Sequence, residues 1–150
     1  MSSEAENESG KPQIDLRSIY TKTAIDHARH PRNLGSMDSP DGSGSVTGSC
    51  GDTMEISIRV RNDRILNANF MTDGCGTTIA AGSILTELAK GKSVTDAFKI
   101  TQRHVLNALG GLPEESQHCA LLAADTLRAA IKDYLAFKNE PWKRAYRQQK

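Results

Sequence analysis

The hydrophobic pattern of the chain has its clearest period of two between residues 54 and 61. Apolar residues alternate with polar ones there, in the order Met54, Glu55, Ile56, Ser57, Ile58, Arg59, Val60 and Arg61. Successive side chains of a strand point to opposite faces, so this alternation predicts a half-buried strand. Asn62-Asp63 tolerates the positive φ angles of a tight hairpin, and a second antiparallel strand is predicted over residues 64–72. Residues 46–49 predict a third strand on the other side of the first.

Apolar residues recur at helical spacing in two segments that flank these strands. Residues 19–29 carry such a stripe, and Pro31 predicts that the helix ends nearby. Residues 33–45 are rich in Gly, Ser, Asp and Pro and are predicted to form a loop. Residues 77–90 predict a second helix, for which Gly91 is a natural stop.

Three further helices are predicted in the second half of the chain. Ser93 caps a short helix through Phe98, and Thr101 caps another through Leu109. The last helix is long, ends before Pro141 and has one apolar face, formed by Ala123, Leu127, Ala130, Ile131, Tyr134 and Leu135. Strands followed by helices indicate an α+β fold, in which helices pack on one face of a small three-stranded antiparallel sheet.

The length and charge of the chain narrow the class of protein. Its 150 residues suit one folded domain, predicted at residues 19–138. Residues 1–18 are polar and are predicted to be a disordered leader, and residues 139–150 are predicted to be a basic tail. The 19 basic and 18 acidic residues give a net charge of +1, which argues against a nucleic-acid role. No segment has the apolar length of a membrane span.

The chain has three cysteines, an odd and widely spaced set that argues against a disulfide framework and favours a cytoplasmic location. In the predicted layout Cys50 lies in the loop between the first two strands, Cys75 in the turn before the second helix, and Cys119 at the start of the last helix. A helix N-terminus stabilises a thiolate, so a lowered thiol pKa is expected for Cys75 and for Cys119. Glycines beside Cys50 and Cys75 let the backbone approach a bulky ligand.

Two polar residues extend this set of thiols. His118 precedes Cys119 and can ligate a metal or, as imidazolium, lower the thiol pKa, while Asp52 lies close to Cys50 in the sequence. There is no Cys-x-x-Cys pair of the kind that marks zinc ribbons or ferredoxins, so the specific signal lies in the local contexts. The other histidines lack such neighbours and are expected to have surface roles, namely His27, His30 and His104.

Several short motifs around these residues occur in a fixed order along the chain. They are His30-Pro31-Arg32-Asn33-Leu34-Gly35, Cys50-Gly51-Asp52, Gly74-Cys75-Gly76, Gly91-Lys92-Ser93 and His118-Cys119-Ala120-Leu121-Leu122-Ala123. Taken together, these motifs resemble the U-type iron-sulfur cluster assembly scaffolds, the family of NifU N-terminal domains and IscU. The resemblance covers residues 19–138 and implies a SufE/NifU-like α+β fold. It also implies an assembly scaffold and sulfur acceptor rather than a turnover enzyme.

The resemblance implies that an iron-sulfur cluster, often [2Fe-2S], is assembled between the loops that bear Cys50, Cys75 and Cys119, with Asp52 or His118 as the fourth ligand. Sulfur would arrive as persulfide from a cysteine desulfurase of the IscS/NifS type, and the cluster would pass to a ferredoxin or another apo-protein. Cys119 is the predicted persulfide acceptor, and Cys50 is the alternative. The family also leaves room for a homo-oligomer.

The segment before His118 departs from the family pattern. Many IscU members carry Leu-Pro-Pro-Val-Lys there, which a specialised Hsp70-type chaperone recognises, whereas this chain has Leu112-Pro113-Glu114-Glu115-Ser116. Two acidic residues replace apolar and basic ones, which argues against dependence on that chaperone. His118 also argues against the SufU branch, where a basic residue usually precedes the last cysteine, and no SufU-type insertion lies between Gly91 and Cys119.

Three other functions fit some of the same residues. A zinc-bound sulfur acceptor that activates a desulfurase would use Cys50, Asp52, Cys75 and Cys119 as a tetrahedral site. A cysteine hydrolase would use Cys75 as nucleophile, His118 as base and Asp52 as orienting group, which leaves Cys50 and Cys119 without a role. A purely structural module leaves the clustered thiols unexplained.

Overall fold

The computed structural model describes residues 20–140 and 142, so the predicted leader and most of the predicted basic tail lie outside the described residues. The elements are α1 (Lys22–Arg29), β1 (Gly42–Thr47), β2 (Thr53–Arg61), β3 (Arg64–Thr72), α2 (Gly76–Ala89), α3 (Val94–Phe98), α4 (Gln102–Leu109), a 3₁₀ turn (Glu114–Ser116) and α5 (His118–Asn139). The strands form one antiparallel sheet in the order β1-β2-β3. The predicted α+β fold is therefore confirmed. Within this part of the chain, no helix has the length and apolarity needed to cross a membrane.

The inner face of the sheet forms the centre of the core. Met54, Ile56 and Ile58 of β2 are fully buried, because the alternation turns all three toward the side that the helices cover. Ile56 lies opposite Phe70 in the register between β2 and β3. Helix α2 packs on β3, and α5 packs on β1 and β2. The predicted bounds of the second strand, residues 64–72, match those of β3.

Hydroxyl side chains fix the starts of three helices. Thr21, Ser93 and Thr101 accept hydrogen bonds from backbone N–H groups in the first turns of α1, α3 and α4. The two caps that the sequence predicts, Ser93 and Thr101, are confirmed. Helix α1 begins at Lys22, after its cap Thr21, and not at residue 19, where the predicted apolar stripe begins. Leu135, predicted on the buried face of α5, is 41% exposed. Tyr134, which is predicted on the same face, does pack against the core.

Strand β1 begins inside the segment that the sequence predicts to be a loop. The prediction placed the third strand at residues 46–49, but β1 spans Gly42–Thr47. The Gly- and Ser-rich composition of β1 suggested a loop. The strand packs its backbone, and not large side chains, against α5. A Cβ atom at Gly44 would lie 2.5 Å from the backbone nitrogen of Ala130 and 2.7 Å from the Cβ of Ala129. Glycine is therefore required for this close contact.

Each outer strand of the sheet has backbone groups that hydrogen-bond to other parts of the chain. Beside β3, the amide of Phe70 donates to the carbonyl of Asn33 at 2.9 Å, and the amide of Gly35 donates to the carbonyl of Phe70 at 2.9 Å. Beside β1, the amide of Ser43 donates to Oδ2 of Asp133 on α5 at 2.9 Å. Backbone groups on both outer strands therefore have partners within the domain.

One histidine predicted at the surface is buried. His27 lies on α1, and its Nδ1 is 2.6 Å from Oγ of Ser83 on α2. Burial, with the nearby charge of Arg32, lowers the pKa of His27 below its ordinary value of 6.5. The prediction for His27 was wrong because the apolar stripe of α1 turns this residue toward α2. His30 and His104 are exposed, as predicted.

The buried His27 should make the stability of the domain fall as the pH falls. In the window below pH 6.5 the unfolded chain binds a proton that the folded chain disfavours, because the folded pKa is lowered. We expect the free energy of unfolding to drop as the pH is lowered from 7.5 to 5.5. Urea unfolding of the parent and of His27→Asn measures this, and the variant should lose less. His30→Asn is the exposed control, and an unchanged slope in His27→Asn would contradict the prediction.

Candidate functional site

The three cysteines come from the ends of three different elements. Cys50 lies in the loop between β1 and β2, Cys75 is the N-cap residue of α2, and Cys119 is the second residue of α5. Cys50 and Cys75 are exposed, whereas Cys119 is 3% exposed. The positions predicted from the sequence are correct, but the three thiols differ in their access to solvent.

A buried hydroxyl connects two of the predicted site residues. Oγ1 of Thr78 donates to Oδ2 of Asp52 at 3.0 Å and lies 3.4 Å from Sγ of Cys119. These contacts bring the start of β2, the first turn of α2 and the start of α5 together around one side chain. Sequence reasoning missed Thr78. Its position three residues after Cys75 was the available signal, because the third residue of a helix lies beside its N-cap.

The loops that carry the site are tied to one another by backbone and side-chain hydrogen bonds. The amide of Gly48 donates to the carbonyl of Asp52 at 2.8 Å, which closes the loop around Cys50. The amide of Thr53 donates to Oδ1 of Asp73 at 2.8 Å, which joins this loop to the one before Cys75. A fixed backbone therefore holds Asp52 beside the start of α2.

The surroundings of the Cys75 thiol favour its charged form, the thiolate. Its partial burial works against a thiolate, but the backbone N–H groups of Thr78 and Thr77 and the Thr78 hydroxyl hydrogen-bond the sulfur. These bonds outweigh burial and lower the pKa of Cys75 below its ordinary value of 9.0. The predicted effect of a helix N-terminus is therefore confirmed for this thiol.

The same prediction is wrong for Cys119. Burial raises the pKa of its thiol above the ordinary value of 9.0, although the Thr78 hydroxyl acts in the other direction. Its helix position does not compensate, because the sulfur faces the protein interior. His118 is half-buried, and its Nε2 lies 3.7 Å from Sγ of Cys119. The sequence could not show that the last of the three thiols is buried.

These environments predict an order of thiol reactivity. At pH 7.5 iodoacetamide should alkylate Cys75 at least about tenfold faster than Cys119, because the thiolate is the nucleophile and Cys119 is buried and protonated. Quenched time points analysed by peptide mass spectrometry give both rates. Full alkylation in urea, where all three thiols should react alike, is the control. Equal rates in the folded protein would contradict the assignment.

The structure brings Asp52, Cys75 and Cys119 together around Thr78 and places His118 beside Cys119. Among residues 20–140 and 142, however, no group of three or more Cys, His, Asp or Glu side chains has an arrangement that could hold a metal ion. Hydrogen bonds link the side chains in this conformation.

The fold and the site define the class of protein to which this chain belongs. The family model described as NifU-like N terminal domain matches residues 19–141. The match covers most of the chain and includes the three cysteines, Asp52 and His118. The chain is therefore a member of the NifU-like N-terminal domain family, as the sequence motifs predicted.

Relatives that carry names agree with this membership. The chain is 48% identical over 117 residues to the protein of Archaeoglobus fulgidus named iron-sulfur cluster assembly scaffold protein IscU 1, covering 77% of this chain and 76% of that one. It is 46% identical over 120 residues to the IscU scaffold protein of Rickettsia prowazekii, covering 77% and 91%. The fold also matches the N-terminal part of a nitrogen-fixing NifU-like protein from Brucella abortus, with a TM-score of 0.64 at 18% identity, covering 81% and 97%.

Proposed function

We propose that this protein is a scaffold on which an iron-sulfur cluster is assembled from iron and sulfur before delivery to other proteins. The observation that carries the proposal is the convergence of Cys75, Cys119 and Asp52 on one buried hydroxyl, with Cys50 in the loop that leads to Asp52. The names of its curated relatives support the same role. They favour an assembly scaffold over the cysteine hydrolase, and His118 contacts Cys119 and not the nucleophile that a hydrolase would use.

The donor set suits a cluster as cargo. Thiolates are the usual ligands of iron-sulfur clusters, and the site offers three of them. With two ferric ions and two sulfides, a carboxylate from Asp52 brings the complex to two negative charges, as a fourth cysteine would. Neutral His118 in its place leaves one negative charge. We propose a [2Fe-2S] cluster bound by Cys50, Cys75 and Cys119, with Asp52 or His118 completing the set.

The proposed role requires a sulfur donor and acceptor proteins. We propose a cysteine desulfurase as the donor and a ferredoxin or another apo-protein as the acceptor, in a cytoplasmic setting. The Hsp70-type chaperone is not part of the proposal, because Glu114 and Glu115 are exposed on the 3₁₀ turn before α5. Zinc remains an alternative occupant that the same thiols and Asp52 could bind.

The identity of the persulfide acceptor stays a prediction: the sequence predicts Cys119, with Cys50 as the alternative, and the environment of Cys75 adds a third candidate. Cys119 is the acceptor predicted from the sequence, but its burial requires the loops to open before sulfur transfer. Cys75 is exposed and has the lowered pKa that an attacking thiolate needs. Trapping the persulfide after reaction with a desulfurase, and mapping it on each Cys→Ser variant, identifies the acceptor. A label that stays off Cys119 in the parent would reject the sequence-based prediction.

Anaerobic reconstitution tests the proposed function. The purified protein is supplied with ferrous iron, cysteine, a cysteine desulfurase and dithiothreitol, the thiol reductant that provides the electrons to convert persulfide sulfur to sulfide, and the product is examined by visible absorption and Mössbauer spectroscopy. We expect sulfide-to-iron charge-transfer bands and transfer of the cluster to an apo-ferredoxin. Cys75→Ser should lose both, and Glu55→Ala, an exposed acid on the open face of β2, should keep both. A parent protein that retains zinc, stimulates the desulfurase and forms no cluster would establish the zinc-bound acceptor instead.

A further inference from the structure

The hydroxyl of Thr78 differs in its hydrogen bonding from the other buried threonines on the helices. Thr86 donates to the carbonyl of Gly82 at 2.9 Å and accepts from Asn33, and Thr126 donates to the carbonyl of Leu122 at 2.7 Å, so both hydroxyls donate within their own helix. Thr78 is fully buried and bonds across to Asp52 on a different element. Its place in the first turn of α2 leaves it without a helical carbonyl four residues earlier. The hydroxyl is thus available to the site.

We propose that Thr78 is a positioning residue whose hydroxyl presents Asp52, in preference to His118, as the fourth ligand of the cluster. The inference rests on the proposed scaffold function and extends it to a residue of α2 that is not itself a ligand. It selects between the two fourth-ligand candidates that the sequence left open.

The geometry around Asp52 supports this role. The Thr78 hydroxyl engages Oδ2 of the carboxylate, so Oδ1 can turn to iron while the side chain stays anchored. A carboxylate that is hydrogen-bonded through one oxygen is a typical oriented metal ligand. The backbone of Gly74 lies directly over this contact, because a Cβ atom there would be 2.7 Å from both Asp52 Oδ2 and Thr78 Oγ1. Glycine at this position therefore leaves room for the hydrogen bond.

The same hydroxyl places Asp52 next to one of the thiols. Oγ1 of Thr78, which donates to the carboxylate, also lies 3.4 Å from Sγ of Cys119. Asp52 and Cys119 are thus held on either side of one atom. His118 also reaches the sulfur of Cys119, at 3.7 Å, but no described hydrogen bond anchors its ring elsewhere. Without the hydroxyl, His118 would compete for the fourth position on equal terms.

A double-mutant cycle on Thr78 and Asp52 tests the positioning role without sulfide or a desulfurase. Thr78→Val removes the hydroxyl and keeps the shape, Thr78→Ser keeps the hydroxyl, and Thr126→Val controls for the loss of a buried threonine hydroxyl. Anaerobic titration with Co²⁺ is followed by its visible absorption. We expect Asp52→Ala to weaken Co²⁺ binding at least about fivefold in the parent and in Thr78→Ser, and less than about twofold in Thr78→Val.

Reconstituted protein provides a second, spectroscopic measurement. After one-electron reduction of the cluster, pulsed electron paramagnetic resonance should show strong histidine nitrogen coupling in Thr78→Val, and none in the parent, in Thr78→Ser or in Thr126→Val. Thr78→Ala replaces Thr78→Val in both measurements if circular dichroism shows that the valine variant is unfolded.

Each outcome separates the positioning role from the scaffold function. Equal effects of Asp52→Ala in the parent and Thr78→Val backgrounds, or histidine coupling in the parent, would overturn the positioning role whether or not a cluster forms. A parent that forms no cluster but shows the Co²⁺ coupling would sink the scaffold function and support positioning of Asp52 toward a metal. A Thr126→Val variant that behaves like Thr78→Val would reduce the effect to packing and overturn the inference.

Discussion

Replacement of Asp52 with alanine is expected to slow delivery of the cluster to an acceptor about tenfold. Thiolates bind iron in these clusters more strongly than a carboxylate does, so in the proposed site the bond to Asp52 would be the first to break when the cluster leaves. In the variant, His118 is the remaining candidate for the fourth position, and its nitrogen bond must break instead. The cluster should consequently persist longer than in the parent.

The measurement is the rate of transfer from reconstituted protein to an apo-ferredoxin, followed by the circular dichroism of the acceptor. Glu55→Ala removes one negative charge from the neighbouring strand at an exposed position and should leave the rate unchanged. If Asp52→Ala transfers its cluster as fast as the parent, or faster, the bond to the carboxylate is not the one whose breaking lets the cluster leave. The Co²⁺ affinity of the same variant should fall, because the variant has one metal ligand fewer. This expectation concerns equilibrium binding of Co²⁺ and is separate from the slower release of the cluster.

Substitution of Gly44 by valine is expected to destabilise the domain by about 3 kcal/mol. Strand β1 lies so close to α5 that even a Cβ atom would be 2.5 Å from the backbone nitrogen of Ala130. The added side chain must push β1 from α5, which separates the loop of Cys50 from the start of the helix that carries Cys119. We expect the urea midpoint to fall and cluster formation to fall with it.

Gly48→Ala is the matched control for this substitution. Gly48 follows β1 directly, and a Cβ atom there would be 3.5 Å from the nearest atom of Leu122, an ordinary van der Waals distance. The two glycines thus differ in how closely α5 approaches. Similar midpoints for Gly44→Val and the parent would mean that β1 and α5 can separate at no cost, contrary to the packing described for this contact.

Residues whose own side chains determine their structure could be predicted from the sequence, and β2 is the clearest case. The alternation of β2 was visible in the sequence because its own apolar side chains are the ones that fill the core. Strand β1 was misplaced because its position depends on small residues of α5, about ninety residues later in the chain, and a Gly-Ser segment carries no local sign of that helix. His27 was assigned to the surface for a similar reason, since its partner Ser83 lies on another helix.

The candidate site residues could be singled out from short motifs, but the contacts between them could not. Cys50, Asp52 and Cys75 could be singled out because glycines and turn residues surround them in the sequence. The burial of Cys119 and its raised pKa result from packing between elements. The role of the Thr78 hydroxyl likewise depends on how α2 meets β2.

The hydrogen bonds on the outer strands of the sheet limit how copies of this protein can pair edge to edge. An exposed edge strand recruits strands from other molecules, and this is a common route to aggregation. Here the chain places Asn33 and Gly35 along β3, while Asp133 of α5 bonds to β1. A second molecule could pair with β3 at Phe70, or with β1 at Ser43, only after these bonds break.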